Sequence, residues 1–262
     1  PTTVLRSLLH SFEVVNFTTS DYQVGFDLVV GLGPLLDSSS EFLELFSILS
    51  FQAKRYRRTM QLINDLARLD GLNLKLIDAI VSQVGQEMKP EEVLVWLRRL
   101  SVSYPNNKQL TLWQANLLNR SERYEDARNL VEKLHSSFPV NNRVAFTLAL
   151  LCLQTEQFEK SKKLFVNLLD GNYRTHDVNF YLGRIAEIER RYDVAVSHYQ
   201  AVPHDGSENF LSAQIRRARI LSQNDGLQSS LRVLSDLLQS FPNKVAEIAI
   251  VKGEILSDKG RH

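Results

Sequence analysis

Apolar positions along most of this chain recur at intervals of three and four, and the pattern restarts about every 34 residues. The stretch Tyr124–Pro139 shows it most plainly, with Ala127, Val131 and Leu134 on one face of a predicted helix. Tyr124 and Ala127 are matched one period on by Phe158 and Ser161, and one further by Tyr192 and Ala195. Phe138-Pro139 is matched one period earlier by Tyr104-Pro105. A fixed period of this size predicts stacked antiparallel helix pairs, since one such pair cannot bury its apolar face alone.

The frame opens at Ser40 and restarts at Leu74, Lys108, Asn142, His176 and Leu211, with a one-residue insertion near His204–Gly206. In each unit a first helix carries apolar residues inward, for example Leu43, Phe46 and Ser50, or Ala145, Leu148, Ala149 and Cys152. A second helix follows, as in Tyr56, Thr59, Ile63 and Leu66, or Phe158, Ser161, Phe165 and Leu168. Pro90 starts one of these second helices, where its missing N–H has no intrahelical partner to lose. A seventh unit shows only its first helix, Val245 to Leu256, with Gly253 at the small position. A first helix without its second leaves its inner face bare. The natural protein is therefore expected to continue beyond His262, or to use this helix as a cap.

Residues 1–39 stand apart as irregular N-terminal helices, and residues 40–262 form the tandem array. Val4, Leu5, Leu8, Leu9, Phe12 and Val15 fit one helical face. Thr18–Asp21 offers an N-cap for a second helix from Tyr22 to about Val30 or Leu36. Gly31 and Gly33 with Pro34 end that helix. A phosphate loop is disfavoured there, because no strand precedes the glycines and no Lys-Ser/Thr follows them.

Small residues occupy the eighth place of four units (Ala115, Ala149, Gly183, Ala218) and the twentieth (Ala127, Ser161, Ala195, Ser230). Proline stands at place thirty-two in Pro105, Pro139 and Pro242, and is replaced by Tyr173 and Ser207 in two other units. In these positions the chain resembles the tetratricopeptide repeat family, over roughly residues 40–256. The usual Trp of place four is missing throughout, which marks the repeats as divergent. The resemblance implies an all-α, right-handed α-solenoid of helical hairpins, with close helix crossings wherever the small residues lie. A narrower likeness runs through Tyr181–Glu187, Ala195–Val202 and Ala213–Ala218. It resembles proteobacterial tetratricopeptide lipoproteins, one group of which is an adaptor for a carboxyl-terminal processing protease in the periplasm. That resemblance implies an adaptor role, with a periplasmic, outer-membrane-anchored location favoured over a cytoplasmic one.

Composition narrows the chemistry. The 262 residues carry 31 basic and 30 acidic side chains, for a formal net charge of +1, which gives no reason to expect nucleic acid or an anionic membrane as the main partner. The single cysteine, Cys152, permits no intrachain disulfide and falls at an inward helix place, as a packed thiol does. No run of about 18 apolar residues exists, so no transmembrane span is expected. No signal peptide is present, and the chain starts at Pro1 without Met, so a leader removed earlier stays open. None of the six histidines forms a His-x₃-His or His-Glu-x-x-His pair, so no metal site is expected. The acidic pairs Glu91/Glu92, Glu122/Glu125 and Glu187/Glu189 sit among arginines and lysines and read as solvated charge. The clusters Arg55-Arg57-Arg58 and Arg216-Arg217-Arg219 read as solvated faces, with contact to an acidic partner as the other reading. No catalytic residue and no cofactor is expected.

Binding is the better reading. In the repeat frame, places two, five, nine and twelve of the first helix face a concave groove. The third unit offers Gln109, Leu112, Asn116 and Asn119 there. The fourth offers Arg143, Phe146, Leu150 and Leu153, and the fifth Asp177, Phe180, Arg184 and Glu187. The sixth offers Ser212, Ile215, Arg219 and Ser222. If exposed, Phe146, Leu150, Phe180 and Ile215 would anchor a peptide or partner helix beside the arginines. The alternative packs them against neighbouring repeats or the N-terminal helices. The chaperone-type carboxylate clamp does not map onto Leu112, Asn116, Thr147 and Asp177. An RNA-reading repeat requires a basic groove, and Asp177 and Glu187 argue against one. The expectation is a non-enzymatic scaffold that binds a protein partner, either a periplasmic protease adaptor or a cytoplasmic assembly scaffold.

Overall fold

Fourteen bounded α-helices make up the computed structural model, which describes residues 2–4, 6, 7, 10, 18–31, 39–69, 71–85, 87–204, 208–223, 226–258 and 260. They are α1 (Thr19–Gly31), α2 (Ser40–Gln52), α3 (Tyr56–Arg68), α4 (Leu74–Ser82), α5 (Pro90–Ser103), α6 (Lys108–Arg120) and α7 (Tyr124–Ser137). There follow α8 (Asn142–Gln154), α9 (Phe158–Asp170), α10 (Thr175–Ile188), α11 (Tyr192–Gln200), α12 (Glu208–Gln223), α13 (Leu227–Ser240) and α14 (Val245–Asp258). A 3₁₀ turn at Pro242–Lys244 leads into α14. Among the described residues the sole β-type pairing is an isolated bridge between Val84 and Met88. The expected helical face through Leu5, Leu8, Leu9, Phe12 and Val15, and the Gly33-Pro34 helix stop, lie outside the described residues.

The helix starts follow the repeat frame. Ser40, Leu74, Lys108 and Asn142 open α2, α4, α6 and α8, and Tyr56, Pro90, Tyr124, Phe158 and Tyr192 open the second helices. α10 and α12 begin at Thr175 and Glu208, slightly ahead of the expected His176 and Leu211. Three of the starts share one physical cause. Asn73, Asn107 and Asn141, again one period apart, turn side-chain oxygens onto the N–H groups of Leu76, Gln109 and Val144 at 3.0–3.1 Å. Each cap satisfies a donor that the first turn of a helix leaves without an intrahelical partner.

The chain divides into two compact units, Pro1–Leu130 and Val131–His262. In the first, α2 packs antiparallel on α3, and α4 stacks on α2 and α6 while α5 stacks on α3. Phe42, Phe46, Leu49 and Leu62 are buried there with Val29 of α1, and the rings of Phe26 and Phe46 stack at 5.5 Å. Buried tryptophans bind across hairpins: Trp96 Nε1 donates to Asn64 Oδ1 at 2.9 Å, and Trp113 Nε1 to Asp78 Oδ1 at 2.7 Å. In the second unit, α8 pairs with α9, α10 with α11 and α12 with α13, and α10, α12 and α14 lie in sequence as first helices. Its core runs from Phe165, Leu168 and Val178 to Tyr199, Leu211, Leu234 and Ile248. The small-residue places of the third to sixth units are all buried, whereas Gly253 of α14 is exposed, and Ser161 Oγ bonds Ala149 O at 2.7 Å, joining place twenty to place eight of one hairpin. Each unit is thus a stack of antiparallel helical hairpins, an all-α solenoid.

A candidate peptide cleft on the first-helix face

Places two, five, nine and twelve of a helix fall on one side of it, because steps of three and four residues return close to the same direction. On α12 those places are Ser212, Ile215, Arg219 and Ser222, and all four line open clefts. One cleft, of about 340 Å³, is bounded by Glu187 of α10, Ser212, Ile215, Arg216 and Arg219 of α12, and Glu247 of α14. The other, of about 540 Å³, is bounded by Arg219, Ser222 and Gln223 of α12 and by Glu254, Ile255 and Asp258 of α14. Arg219 belongs to both, so the two adjoin along α12.

The walls are fixed by charge-assisted bonds. Arg216 Nη1 donates to Glu187 Oε2 at 3.1 Å, and the same oxygen accepts the Tyr199 hydroxyl at 2.6 Å. Burial, together with the Glu187 carboxylate, pushes the Tyr199 phenol well above its ordinary range, so it serves as a donor. Arg219 Nη2 donates to Glu254 Oε2 at 2.7 Å, which joins α12 to α14. These pairs are part-exposed, so they position side chains more than they stabilise the fold. Arg217 turns away from the clefts. Its Nη1 donates to Gln214 Oε1 at 3.2 Å, its Nε is buried with no hydrogen-bond partner among the described residues, and burial lowers its pKa.

The fourth and fifth units present a different surface from the expected one. Phe146 and Phe180 are 6 % and 7 % exposed, so neither is an open groove contact. Phe146 packs edge-on against Phe165, Tyr173 and Tyr181 at centroid distances of 5.8–6.2 Å, and the Arg174 guanidinium lies 4.4 Å over its ring. Phe180 packs on Tyr181 at 5.2 Å and on Tyr199 at 6.3 Å. Place five borders the next hairpin, and a ring there gains more from burial against that hairpin than from water. Leu150 and Ile215 are half-buried, the former against the Phe165 cluster and the latter against the Tyr199 cluster. Arg143 is exposed at the start of α8, Arg184 is half-buried in α10, and Asn116 is exposed on α6 in the first unit. Of the expected contacts, Ile215 and Arg219 therefore meet in one cleft with Ser212 and Glu187, and Arg219 meets Ser222 in the other.

Arg216, Glu247, Glu254 and Asp258 had not been placed in the groove. Continuing the frame with Gly253 at place eight would have set Glu247 at two and Glu254 at nine, so the signal was present. Elsewhere, charged side chains are engaged with one another. Glu92 pairs with Arg57 at 2.8 Å, Glu125 with Arg128 at 2.6 Å, and Glu189 with Lys162 at 3.8 Å and with Arg191. Cys152 is fully buried, its Sγ 3.9 Å from Gln157 Oε1. Among the described residues no three His, Cys, Asp or Glu side chains come together as a metal site requires, and no helix is long and apolar enough to cross a membrane.

No family model matches the sequence, and no curated protein matches it. Solved structures do match in shape. A tetratricopeptide repeat protein from Parabacteroides merdae superposes with a TM-score of 0.56 at 12 % identity, covering 97 % of this chain and 98 % of that one. PilF of Pseudomonas aeruginosa gives 0.59 at 17 % identity, covering 84 % and 97 %. YrrB, described as a TPR protein with an unusual peptide-binding site, gives 0.53 at 15 % identity, covering 68 % and 91 %. At such identities the likeness is one of fold, and the fold is that of tetratricopeptide repeat proteins.

Proposed function

We propose that this chain is a protein-interaction scaffold with no catalysis of its own, which holds a segment of a partner protein along the α10–α12–α14 face. The observation that carries this reading is the pair of adjoining clefts lined by all four groove places of the sixth unit. A furrow with Ile215 in its wall and ion pairs across it suits a polypeptide: apolar side chains anchor, and polar groups set register. The peptide-binding site named for YrrB, a protein of the same fold, is in keeping with this reading.

The finer version is an adaptor of the bacterial envelope that brings a carboxyl-terminal processing protease together with its substrates. Its support is the resemblance carried by Tyr181–Glu187, Ala195–Val202 and Ala213–Ala218. A cytoplasmic assembly scaffold is the alternative placement of the same activity.

The test is a pull-down from source-cell lysate with the native chain and a Ser212→Arg/Arg219→Glu variant of matched melting temperature. A protein captured by the native chain and lost with the variant supports the scaffold reading, and a protease among the captured proteins supports the finer version. Equal capture by both moves the site off this face, and recovery of RNA in place of protein overturns the reading.

A further inference from the structure

The charge around the two clefts is lopsided. Four carboxylates line them (Glu187, Glu247, Glu254 and Asp258) against two guanidiniums, Arg216 and Arg219. Both guanidiniums are already engaged, Arg216 by Glu187 and Arg219 by Glu254. Among the described residues, no free arginine therefore remains in the clefts to receive an acidic ligand. Two carboxylates stay uncompensated from within. Among the described residues Glu247 forms an ion pair only with Lys244, at 3.7 Å, and Lys244 sits closer to Glu208, at 3.0 Å. Asp258 makes no ion pair among the described residues.

These two acids are placed in register. On α14 they lie eleven residues apart, within about 20° of the same direction at 3.6 residues per turn, and about 16 Å apart along the axis at 1.5 Å per residue. Glu254 falls on the same stripe. In an extended polypeptide side chains four residues apart share a face and lie about 13 Å apart at about 3.3 Å per residue, and long lysine or arginine stems cover the remaining few ångströms. Between the two acids, across the cleft, Ile215 offers a half-buried apolar contact on α12.

We propose that the clefts take an extended, basic segment of the partner protein, with two lysine or arginine side chains four residues apart on one face and an apolar residue between them on the other. It rests on the scaffold reading above and adds to it the chemistry of what is held. One cation meets Glu247, the other meets Asp258, and the apolar side chain lies on Ile215. The Arg216–Glu187 and Arg219–Glu254 pairs stay in place and hold the walls apart.

The test uses fluorescein-labelled pentapeptides and anisotropy with the full chain at low and physiological salt. One peptide has lysine at both ends and leucine inside; its counterpart has glutamate at both ends. The lysine peptide is expected to bind at least tenfold tighter, and to weaken as salt rises. A Glu247→Lys/Asp258→Lys variant with an unchanged helical spectrum should lose the lysine peptide by about tenfold or more. A conservative Glu247→Gln/Asp258→Asn variant should show an intermediate loss. Equal or tighter binding of the glutamate peptide overturns the proposal, as does failure of the lysine peptide to bind or an unchanged affinity in both variants. If it fails while the Ser212→Arg/Arg219→Glu variant still loses its protein in the pull-down, the preference for a basic segment falls and the groove reading stands. If the pull-down also shows no difference, the groove reading falls with it.

Discussion

Gly183 lies directly against the ring of Tyr199: a Cβ built on residue 183 would sit 2.6 Å from Cε1 and 2.7 Å from Cδ1. The ring has little freedom to yield, because Tyr199 is fully buried and its hydroxyl is tied to Glu187 at 2.6 Å. Two effects oppose each other in Gly183→Ala. Alanine is the better helix former by about 1 kcal/mol, whereas overpacking a tight crossing costs about 1–3 kcal/mol. The contact distance decides for the second, and a net loss of up to about 2 kcal/mol is expected from urea unfolding. Ala195→Leu, at the matching small place on α11, should lose about 1–3 kcal/mol for the same reason. A midpoint raised by Gly183→Ala would show that α10 and α11 do not cross here as described.

His198 links stability to pH. Its Nδ1 is 3.0 Å from Asn179 Oδ1, and burial, followed by the charge of Arg191, lowers its pKa below the ordinary 6.5. The unfolded chain therefore takes up a proton at a pH where the folded chain does not. Stability is at its full value above about pH 6.5 and falls as pH drops from there through the folded pKa. Replacing His198 with Gln keeps a polar side chain and removes the titration. The difference in urea midpoint between native and variant should shift in the variant's favour between pH 7.5 and pH 5.5. A difference that stays constant across that range would mean that His198 has the same pKa in both states.

Much of the architecture was legible because the residues that set it repeat. Helix starts, small crossing places and the second-helix aromatics recur once per period, so each copy supports the others. What escaped was decided by contacts between units and by departures from the strict period. Phe146 and Phe180 turned out to be enclosed because place five borders the next hairpin, and at Phe146 Tyr173 and the guanidinium of Arg174, whose backbone is left-handed at φ 46°, close over the ring. The acids of α14 escaped because Ala218 and Gly253 are 35 residues apart, so a strict 34-residue step from α12 falls one short, although Gly253 itself marks the right count. A groove place assigned by period alone then misses Glu247 and Glu254. Ser212, Ile215, Arg219 and Ser222, inside one uninterrupted helix, carried no such ambiguity.

The enclosed ring separates packing from recognition. Phe146→Ala should destabilise the second unit by about 3–5 kcal/mol, as emptying a buried aromatic site does. Arg143→Ala, one turn earlier and exposed, should change stability by less than about 0.5 kcal/mol. Chemical denaturation of the two variants side by side checks this. If Phe146→Ala were as mild as Arg143→Ala, the ring would be open to solvent and available as a contact.

The turns between paired helices hold a further, unforced margin of stability. Lys54, Glu122, Glu156 and Arg190 share a left-handed backbone, with φ between 57° and 59°, at the same place in four hairpins. None of them is glycine, although an L-residue pays about 1–2 kcal/mol in that conformation. The second hairpin is the exception: α4 stops at Ser82, and the left-handed position falls on Gly85, at φ 90°. Glycine at one of the four places removes the steric term but adds chain entropy to the unfolded state, which offsets about 0.5–1 kcal/mol. Glu156 is exposed and forms no ion pair among the described residues, whereas Lys54 is bonded to Glu87 at 2.7 Å. Glu156→Gly should therefore stabilise by about 0.5–1 kcal/mol, and Lys54→Gly by less, because it also loses that bond. Thermal melts of both variants provide the measurement. A lower midpoint for Glu156→Gly would mean that its side chain stabilises the turn through a contact that outweighs the strain of its backbone.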